Sequence, residues 1–435
     1  MKIVVIGAGH IGLVTALSFT HLGHDVLCLD VNQQKIKLLS DAITEIYEPG
    51  LQQLLQKSLL EKKIDFSTDY KKASSYADII FMAVGTPNTE YGCDLHFLDT
   101  ALASLRDSAS FKPNEPKKII VIKSTVTPGT LNRLQSAFPH FNFVSCPEFL
   151  REGQALQDAL HPERVIAGSE SAMALRLVKE IYLPFLKDAD DFITMDSISA
   201  EMTKYAANSF LAAKISLTNE FSRLCEKVGA NIESVTQGIG KDSRIGNFFL
   251  KAGIGYGGSC LPKDIDALLK FAEAQNEKME IIRSVKSGNT LQIDFFISKI
   301  SKAFKFIDQK TVTLWGAAFK PETNDIREAP SLTVIGELLK LNFKITIYDP
   351  VANQNIINFF KLHPRFDRLR FCDDRLEALE TSNALIILTE WSEFFETDLQ
   401  EIKKRLSTFM IFDGRNVFAS QYKNHSDLKY FGMGL

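Results

Sequence analysis

The chain has 435 residues, 45% hydrophobic and 24% charged, enough for two or three domains each with its own core. A net charge of −3 argues against a nucleic-acid-binding surface. No apolar run reaches the roughly 20 residues of a membrane-spanning helix. The six cysteines (28, 93, 146, 225, 260 and 372) are scattered with no Cys-x-x-Cys pair, and the eight histidines do not cluster. Free thiols, a reducing and hence cytoplasmic setting, and no metal site are the expectation. Met1-Lys2 runs straight into a predicted strand, so no cleavable leader is expected.

In chain order, a first domain is predicted over residues 1–196. Lys2 to Ile6 is a β-rich apolar run suited to a strand buried on both faces. It enters Gly7-Ala-Gly9-His-Ile-Gly12, followed by a helical pattern through Leu22 that Gly23 closes. A second strand, Asp25 to Leu29, ends in Asp30. Strand, glycine fingerprint, helix and an acid about 20 residues on form a dinucleotide-binding unit. Gly7 makes the tight turn, Gly9 clears room for a pyrophosphate at the helix N-terminus, and Gly12 lets helix and strand pack. Asp30 would accept from ribose hydroxyls and repel a 2′-phosphate, which favours NAD over NADP. Lys35 taken alone reads as a solvated helix residue.

Strands over Asp78 to Val84 and Lys118 to Ile122 lead into Gly85-Thr86-Pro87 and Lys123-Ser124-Thr125. Ligands bind outside the carboxyl ends of such strands, which brings Thr86 and Thr125 to the cofactor cleft. After a short strand, Phe143 to Ser145, comes Pro147-Glu148-Phe149-Leu150-Arg151-Glu152. Its two carboxylates could bind sugar hydroxyls or act as acid and base; an exposed acidic helix start is the competing reading.

A central helical domain is predicted over residues 197–304, with its longest helix from Ser199 to Val228. Lys204, Asn208 and Leu211 share one face of it. With Ala207, Leu211, Ile215 and Leu217 expected to be buried, the two polar groups read as a site. Further on, Gly253-Ile-Gly-Tyr-Gly257-Gly-Ser-Cys260-Leu-Pro-Lys263-Asp264 permits close approach of the backbone to a ligand. The turn leaves Cys260 at a helix N-terminus beside Lys263, both of which favour a thiolate. Locally, a small buried thiol is as good a reading as a nucleophile.

A last domain, 305–435, repeats strand–helix–strand order. Thr311 to Trp315, Lys344 to Tyr348, Ala384 to Leu388 and Phe409 to Phe412 are its predicted strands, with a helix from Ser331 to Leu341. Gly316-Ala-Ala-Phe stands where a second fingerprint would be, so no second NAD is expected. Lys320, Arg327 and Arg415 lie in strand-end loops, as suits a pyrophosphate. The fold class is thus α/β, two Rossmann-like doubly wound domains joined by a helical domain with one long helix.

Gly7-Ala-Gly-His-Ile-Gly-Leu13, Pro147-Glu-Phe-Leu-Arg-Glu152, Lys204-Tyr-Ala-Ala-Asn208, Gly257-Gly-Ser-Cys-Leu-Pro-Lys-Asp264 and Phe319-Lys-Pro together closely resemble the UDP-glucose/GDP-mannose dehydrogenase family over essentially the whole chain. The resemblance implies two successive NAD-dependent oxidations at C6 of a nucleotide sugar, through a thiohemiacetal and a thioester on Cys260. It implies that Lys204, assisted by Asn208, stabilises oxyanion charge. Asp264 and Thr125 would order a water, and Glu148 would serve acid–base steps. It implies cofactor contacts at Ile11, Asp30, Lys35, Thr86, Thr125, Glu152, Lys263 and Arg327. Substrate contacts are implied along Glu148-Phe149-Leu150-Arg151-Glu152, at Lys204 and Asn208, and along Phe249-Leu250-Lys251-Ala252-Gly253. Gly257, Lys320 and Arg415 complete that set. Arg244 resembles an arginine that reaches the substrate of a neighbouring subunit, which implies a homodimer or higher oligomer.

The sequence departs from the family pattern at His10-Ile11, where Tyr-Val is common, at Thr127-Pro128, and at Leu261, where phenylalanine is frequent. His161-Pro-Glu-Arg164 resembles the branch that takes UDP-glucose. GDP-mannose and UDP-N-acetylhexosamines are the alternative substrates, and a non-catalytic NAD and nucleotide-sugar binder is the alternative function.

Overall fold

The computed structural model describes residues 1–90, 92–109 and 117–435. Its contacts divide into two compact units: Met1–Ala207 with Asp266–Gln275, and Asn208–Ile265 with Asn276–Leu435.

The first unit is built on an eight-stranded sheet. Its strands are β1 (Lys2–Ile6), β2 (Asp25–Leu29), β3 (Ile64–Ser67), β4 (Ile79–Met82), β7 (Lys118–Ile122), β8 (Phe141–Ser145), β9 (Val165–Gly168) and β10 (Phe192–Met195). A separate hairpin pairs β5 (Asn88–Thr89) with β6 (Gly92–Cys93). The order is β10-β9-β8-β7-β4-β1-β2-β3, with every pair parallel except β8 and β9. Alternation of side chains divides the strand residues between two cores. Ile3 and Val5 pack with Leu13, Leu17 and Phe19 on one face, while Val4 and Ile6 pack with Ile80, Leu102 and Ile120 on the other. Burying each such side chain is worth about 1.5–3 kcal/mol, so the sheet is held from both sides. Because β1 lies between β2 and β4, the winding direction reverses there, and the Gly7 turn falls at the switch point.

The second unit has a wholly parallel sheet in the order β13-β12-β11-β14-β15-β16. These strands are β11 (Thr311–Trp315), β12 (Lys344–Tyr348), β13 (Leu369–Phe371), β14 (Ala384–Ile387), β15 (Met410–Asp413) and β16 (Lys429–Phe431). Again two cores form, one around Leu314, Ile345 and Ile386 and one around Trp315, Leu385 and Ile411. Trp315 stacks on Phe394 with ring centroids 5.0 Å apart, and its indole N–H donates to the Arg375 carbonyl. Between β11 and the helix Pro330–Lys340 a loop intervenes, whereas the helix His10–His21 starts directly after the β1 turn.

The long helix runs from Ser197 to Val228, 32 residues. At about 100° per residue, Glu201, Lys204, Asn208, Ser216, Asn219 and Ser222 line one face, and all are buried. Opposite them Phe210, Leu217, Phe221, Leu224 and Val228 are exposed. Leu217 is thus 55% exposed, against the expected burial, because it belongs to this outward stripe. The short strands β3, β9, β10, β13 and β16 were not anticipated from the sequence pattern, and β8 starts two residues before the expected Phe143. Among the described residues, no helix is long and apolar enough to cross a membrane, and no group of side chains could hold a metal.

Glu201 ties the long helix to the loop after β7. Its carboxylate accepts the N–H groups of Gly129 (2.6 Å) and Leu131 (2.8 Å), at the start of the helix Thr130–Ala137 whose N-cap, Gly129, has no side chain to do so. Burial pushes the Glu201 carboxyl up to about 7, further than the backbone donors pull it down. An acid raised in this way binds its proton more tightly folded than unfolded. Its contribution to stability is therefore greatest below its unfolded value and is lost as pH rises to about 7. Relative to Glu201→Gln, the native protein should lose about 3 kcal/mol of unfolding free energy between pH 4.5 and pH 7. Denaturant titrations at the two ends of that range check this; parallel stability curves for the two proteins would refute it.

Candidate functional site

The fingerprint is shaped as its glycines require. Gly7 has φ +101°, and a Cβ there would overlap the Ala83 carbonyl; a Cβ at Gly12 would overlap the Gly7 carbonyl. Gly9 faces open space and is the N-cap of the helix His10–His21, whose first turn has no side-chain cap and no acid. The uncapped N–H groups suit a pyrophosphate. Half-buried Ile11 follows in the first turn. Asp30 accepts the Ala8 N–H (2.8 Å) and the Asn32 N–H (2.9 Å), and Lys35 Nζ lies 3.6 Å from it. Lys35 lines one cleft with Gly9 and His10. The residues present therefore fit a dinucleotide. His10 Nε2 donates to Glu48 (2.9 Å), a buried carboxylate that also takes the Gly153 N–H.

Thr86 and Thr125 come together, the Thr86 hydroxyl donating to the Thr125 carbonyl (2.8 Å). Past β8, Glu148 and Lys204 form an ion pair of 3.1 Å in which both side chains are about 95% buried (6% and 4% exposed). Glu148 also accepts the Leu150 N–H (2.6 Å). Burial alone would raise this carboxyl. The Lys204 ammonium and the Leu150 donor outweigh it, so Glu148 is held below the usual carboxylate range and is ionised near neutrality. Two cations lie over the Phe149 ring, Arg164 at 4.4 Å and Lys204 at 5.2 Å from its centroid. Arg151 pairs with Asp158, and Glu152 follows, half-buried, at the turn.

In the second unit the glycine turn ends at Cys260, half-buried, whose carbonyl accepts the Asp264 N–H (2.9 Å) as the helix Leu261–Ala274 begins. Ser259 Oγ lies 3.6 Å from the Cys260 sulfur. Buried Asp264 receives Asn208 Nδ2 at 2.6 Å and lies 2.6 Å from Lys263 Nζ. Asn208 follows Lys204 by one turn of the long helix. Gly257 and Gly258 pass so close to the loop after β11 that a Cβ would strike the Glu328 carbonyl or the Phe319 ring. The Gly258 N–H donates to the Arg327 carbonyl (2.9 Å), while the exposed Arg327 guanidinium grips the largely buried Asp325 carboxylate. Arg415 spans the carbonyls of Leu388 (2.9 Å), Gly255 (3.1 Å) and Phe319 (3.3 Å), bracing the loops around the turn. Lys320 lies over the Phe319 ring, half-buried. Phe249 adopts φ +64°, a strained conformation for an aromatic residue, between exposed Lys251 and Phe248; Leu250, Ala252 and Gly253 are buried. Arg244 is 86% solvent-exposed at its side chain and pairs locally with Asp242.

Asn219, Asn289 and Gln292, which hold the glycine turn, were not singled out from the sequence. Extending the Lys204–Asn208 face by three turns reaches Asn219, so the signal was present there. Nothing in the local pattern marks Asn289 and Gln292.

Residues 1–186 match the UDP-glucose/GDP-mannose dehydrogenase family, NAD binding domain; residues 198–290 match its central domain and 313–420 its UDP binding domain. The chain is 38% identical over 441 residues to UDP-glucose 6-dehydrogenase TuaD of Bacillus subtilis, covering 100% of this chain and 93% of that protein. It is 38% identical over 450 residues to UDP-glucose 6-dehydrogenase of Pseudomonas aeruginosa, covering 100% and 97%. The solved UDP-glucose dehydrogenase of Pyrobaculum islandicum superposes with a TM-score of 0.88 at 30% identity, covering 100% of this chain and 97% of that one.

Breaking a buried ion pair on one side leaves an uncompensated charge. Lys204→Met should therefore destabilise the protein by about 3–5 kcal/mol and raise the Glu148 carboxyl, and adding Glu148→Gln should recover much of the loss. A double-mutant cycle by denaturant unfolding reads this; purely additive effects would contradict the pairing.

Proposed function

The chain belongs to the UDP-glucose/GDP-mannose dehydrogenase family, and from that premise we propose that it oxidises UDP-glucose at C6 to UDP-glucuronate with NAD, in two steps through Cys260. The observation that carries the reading is the delivery of Cys260 to a helix start by a glycine turn, with Asp264 and Asn208 bonded one turn further in. Residues 1–196 bind the cofactor, 197–304 carry the nucleophile, and 305–435 bind the UDP moiety.

Gly7, Gly9, Ile11 and Gly12 cradle the pyrophosphate, Asp30 and Lys35 take the ribose, and Thr86, Thr125, Glu152, Lys263 and Arg327 complete the contacts. NAD, when bound, would supply the hydride acceptor for each oxidation. The Lys204 ammonium, with the Asn208 amide, stabilises negative charge on the C6 oxygen. Cys260 Sγ adds to the aldehyde carbon; a C–S bond forms and the carbonyl oxygen takes a proton, giving a thiohemiacetal. Loss of two more electrons leaves a thioester. A water ordered by Asp264 and Thr125 then attacks, the C–S bond breaks, and the thiolate is regenerated with release of the carboxylate. Glu148, kept ionised by Lys204, is suited to take the proton of that water. Phe149, Leu150, Arg151 and the 249–253 segment, with Gly257, Lys320 and Arg415, line or brace the sugar-nucleotide site. All six cysteines are free, which supports a reducing, cytoplasmic setting.

The outward stripe of Phe210, Leu217, Phe221, Leu224 and Val228 supports a seam with a second copy of the chain. Arg244, exposed and paired with Asp242, then serves the neighbour's substrate.

Two NADH should form per UDP-glucose consumed, and Cys260→Ala should yield no UDP-glucuronate. A ratio of one, or undiminished acid from the variant, would sink the assignment; parallel assays on GDP-mannose and a UDP-N-acetylhexosamine decide the substrate. For the seam, Phe221→Asp with Leu224→Asp should convert a dimer or larger oligomer to monomer in sedimentation velocity and abolish turnover. A native chain that sediments as a monomer would overturn the seam.

A further inference from the structure

The segment from Ala252 to Gly258 has no helix or strand yet is buried throughout. Buried backbone must find partners; besides the Gly414 and Arg327 carbonyls and the Arg415 guanidinium, these are side chains from two helices. The Gly253 N–H donates to Asn219 Oδ1 (2.9 Å), and the Gly253 carbonyl accepts from Gln292 Nε2 (2.7 Å). Asn289 both accepts the Tyr256 N–H and donates to the Tyr256 carbonyl, each at 2.9 Å, as a neighbouring strand would. Gln292 is itself fixed, its Oε1 accepting from Arg223 Nη1 at 2.6 Å. Asn289 and Gln292 share a face of the helix Glu280–Ala303, three residues apart. Gln292 and Asn219 are 0% and 1% exposed, so water does not compete for these bonds. At Gly255, φ is +124° and the Asn289 amide occupies the space of a side chain.

We propose that Asn219, Asn289 and Gln292 are positioning residues: three amides that fix the 253–258 backbone, and so set both the affinity for the nucleotide sugar and the placement of Cys260. The inference rests on reading residues 249–257 as the nucleotide-sugar loop. None of the three is required to touch the substrate. Because they act on backbone, a side chain that keeps only part of the bonding should not suffice. Gln292→Glu retains the acceptor for Arg223 but has no donor for the Gly253 carbonyl, so it should behave like Gln292→Ala.

The test compares native protein with Gln292→Ala, Gln292→Glu and Asn289→Ala by amide hydrogen exchange and by calorimetric titration with UDP-glucose and, separately, NAD. Exchange of the 253–260 amides should quicken, and UDP-glucose Kd should rise about tenfold for each variant, while NAD Kd stays at the native value. Exchange and UDP-glucose Kd both at native values would overturn the clamp, as would equal weakening for NAD, which would mark general unfolding. Should an alanine variant fail to fold, Asn219→Ser removes one bond only and is read in the same way. If the native protein does not bind UDP-glucose, the substrate reading fails, and exchange in the loop alone decides the clamp.

Discussion

The inverted long helix constrains everything else in this protein. Most helices of its length bury an apolar stripe and show water a polar one. Ser197–Val228 does the reverse, with Glu201, Lys204, Asn208, Asn219 and Ser222 inside and Phe210, Leu217, Phe221, Leu224 and Val228 outside. Burying charged and amide groups costs several kcal/mol each unless they are bonded, so each inward residue dictates a partner. Glu201 takes the loop after β7, Lys204 takes Glu148, Asn208 takes Asp264, and Asn219 takes Gly253. Glu201 and Lys204 on this helix fall in the first compact unit, Asn208 and Asn219 in the second.

Electrostatics follows from this burial. Glu148 and Lys204 sit where neither charge would be tolerated alone, and the ammonium holds the Glu148 carboxyl ionised. An ionised carboxylate is the form a base needs, and an ammonium is the form that steadies an oxyanion. The same logic recurs at the strand ends. Asp30 satisfies the Ala8 N–H after β1, and Asp349 accepts both the Ala317 and Ala318 N–H groups after β11 (2.6 and 3.0 Å). In the first unit the helix N-terminus behind that turn is left uncapped and suits an anion. In the second, the loop to Pro330 is spent on covering the glycine turn.

How much of this could be read from the residues depends on the range of the forces involved. β1, β2, β7, β11 and β12 start and stop where the apolar runs do, because strands buried on both faces leave a continuous signal. The edge strands β3, β13 and β16 are short and half-exposed, and their pattern is too weak to stand out. The fingerprint, the Cys260 turn and the Lys204–Asn208 face are local motifs and were legible. The partners were not. That Asn208 bonds Asp264, or that Asn289 mimics a strand beside Tyr256, depends on contacts dozens of residues apart. Leu217 was misplaced because an apolar residue on a long helix is ordinarily an inward one.

The central claim is covalent: the Cys260 sulfur carries the half-oxidised sugar. Rapid acid quenching of the protein during turnover with UDP-glucose and NAD, followed by peptide mass spectrometry, tests it most directly. The account predicts a UDP-glucuronyl adduct on the peptide containing Cys260, and on none of the peptides containing the other five cysteines. NADH appearing over two oxidations with no adduct on Cys260 at any quench time, or an adduct on a different residue, would contradict it.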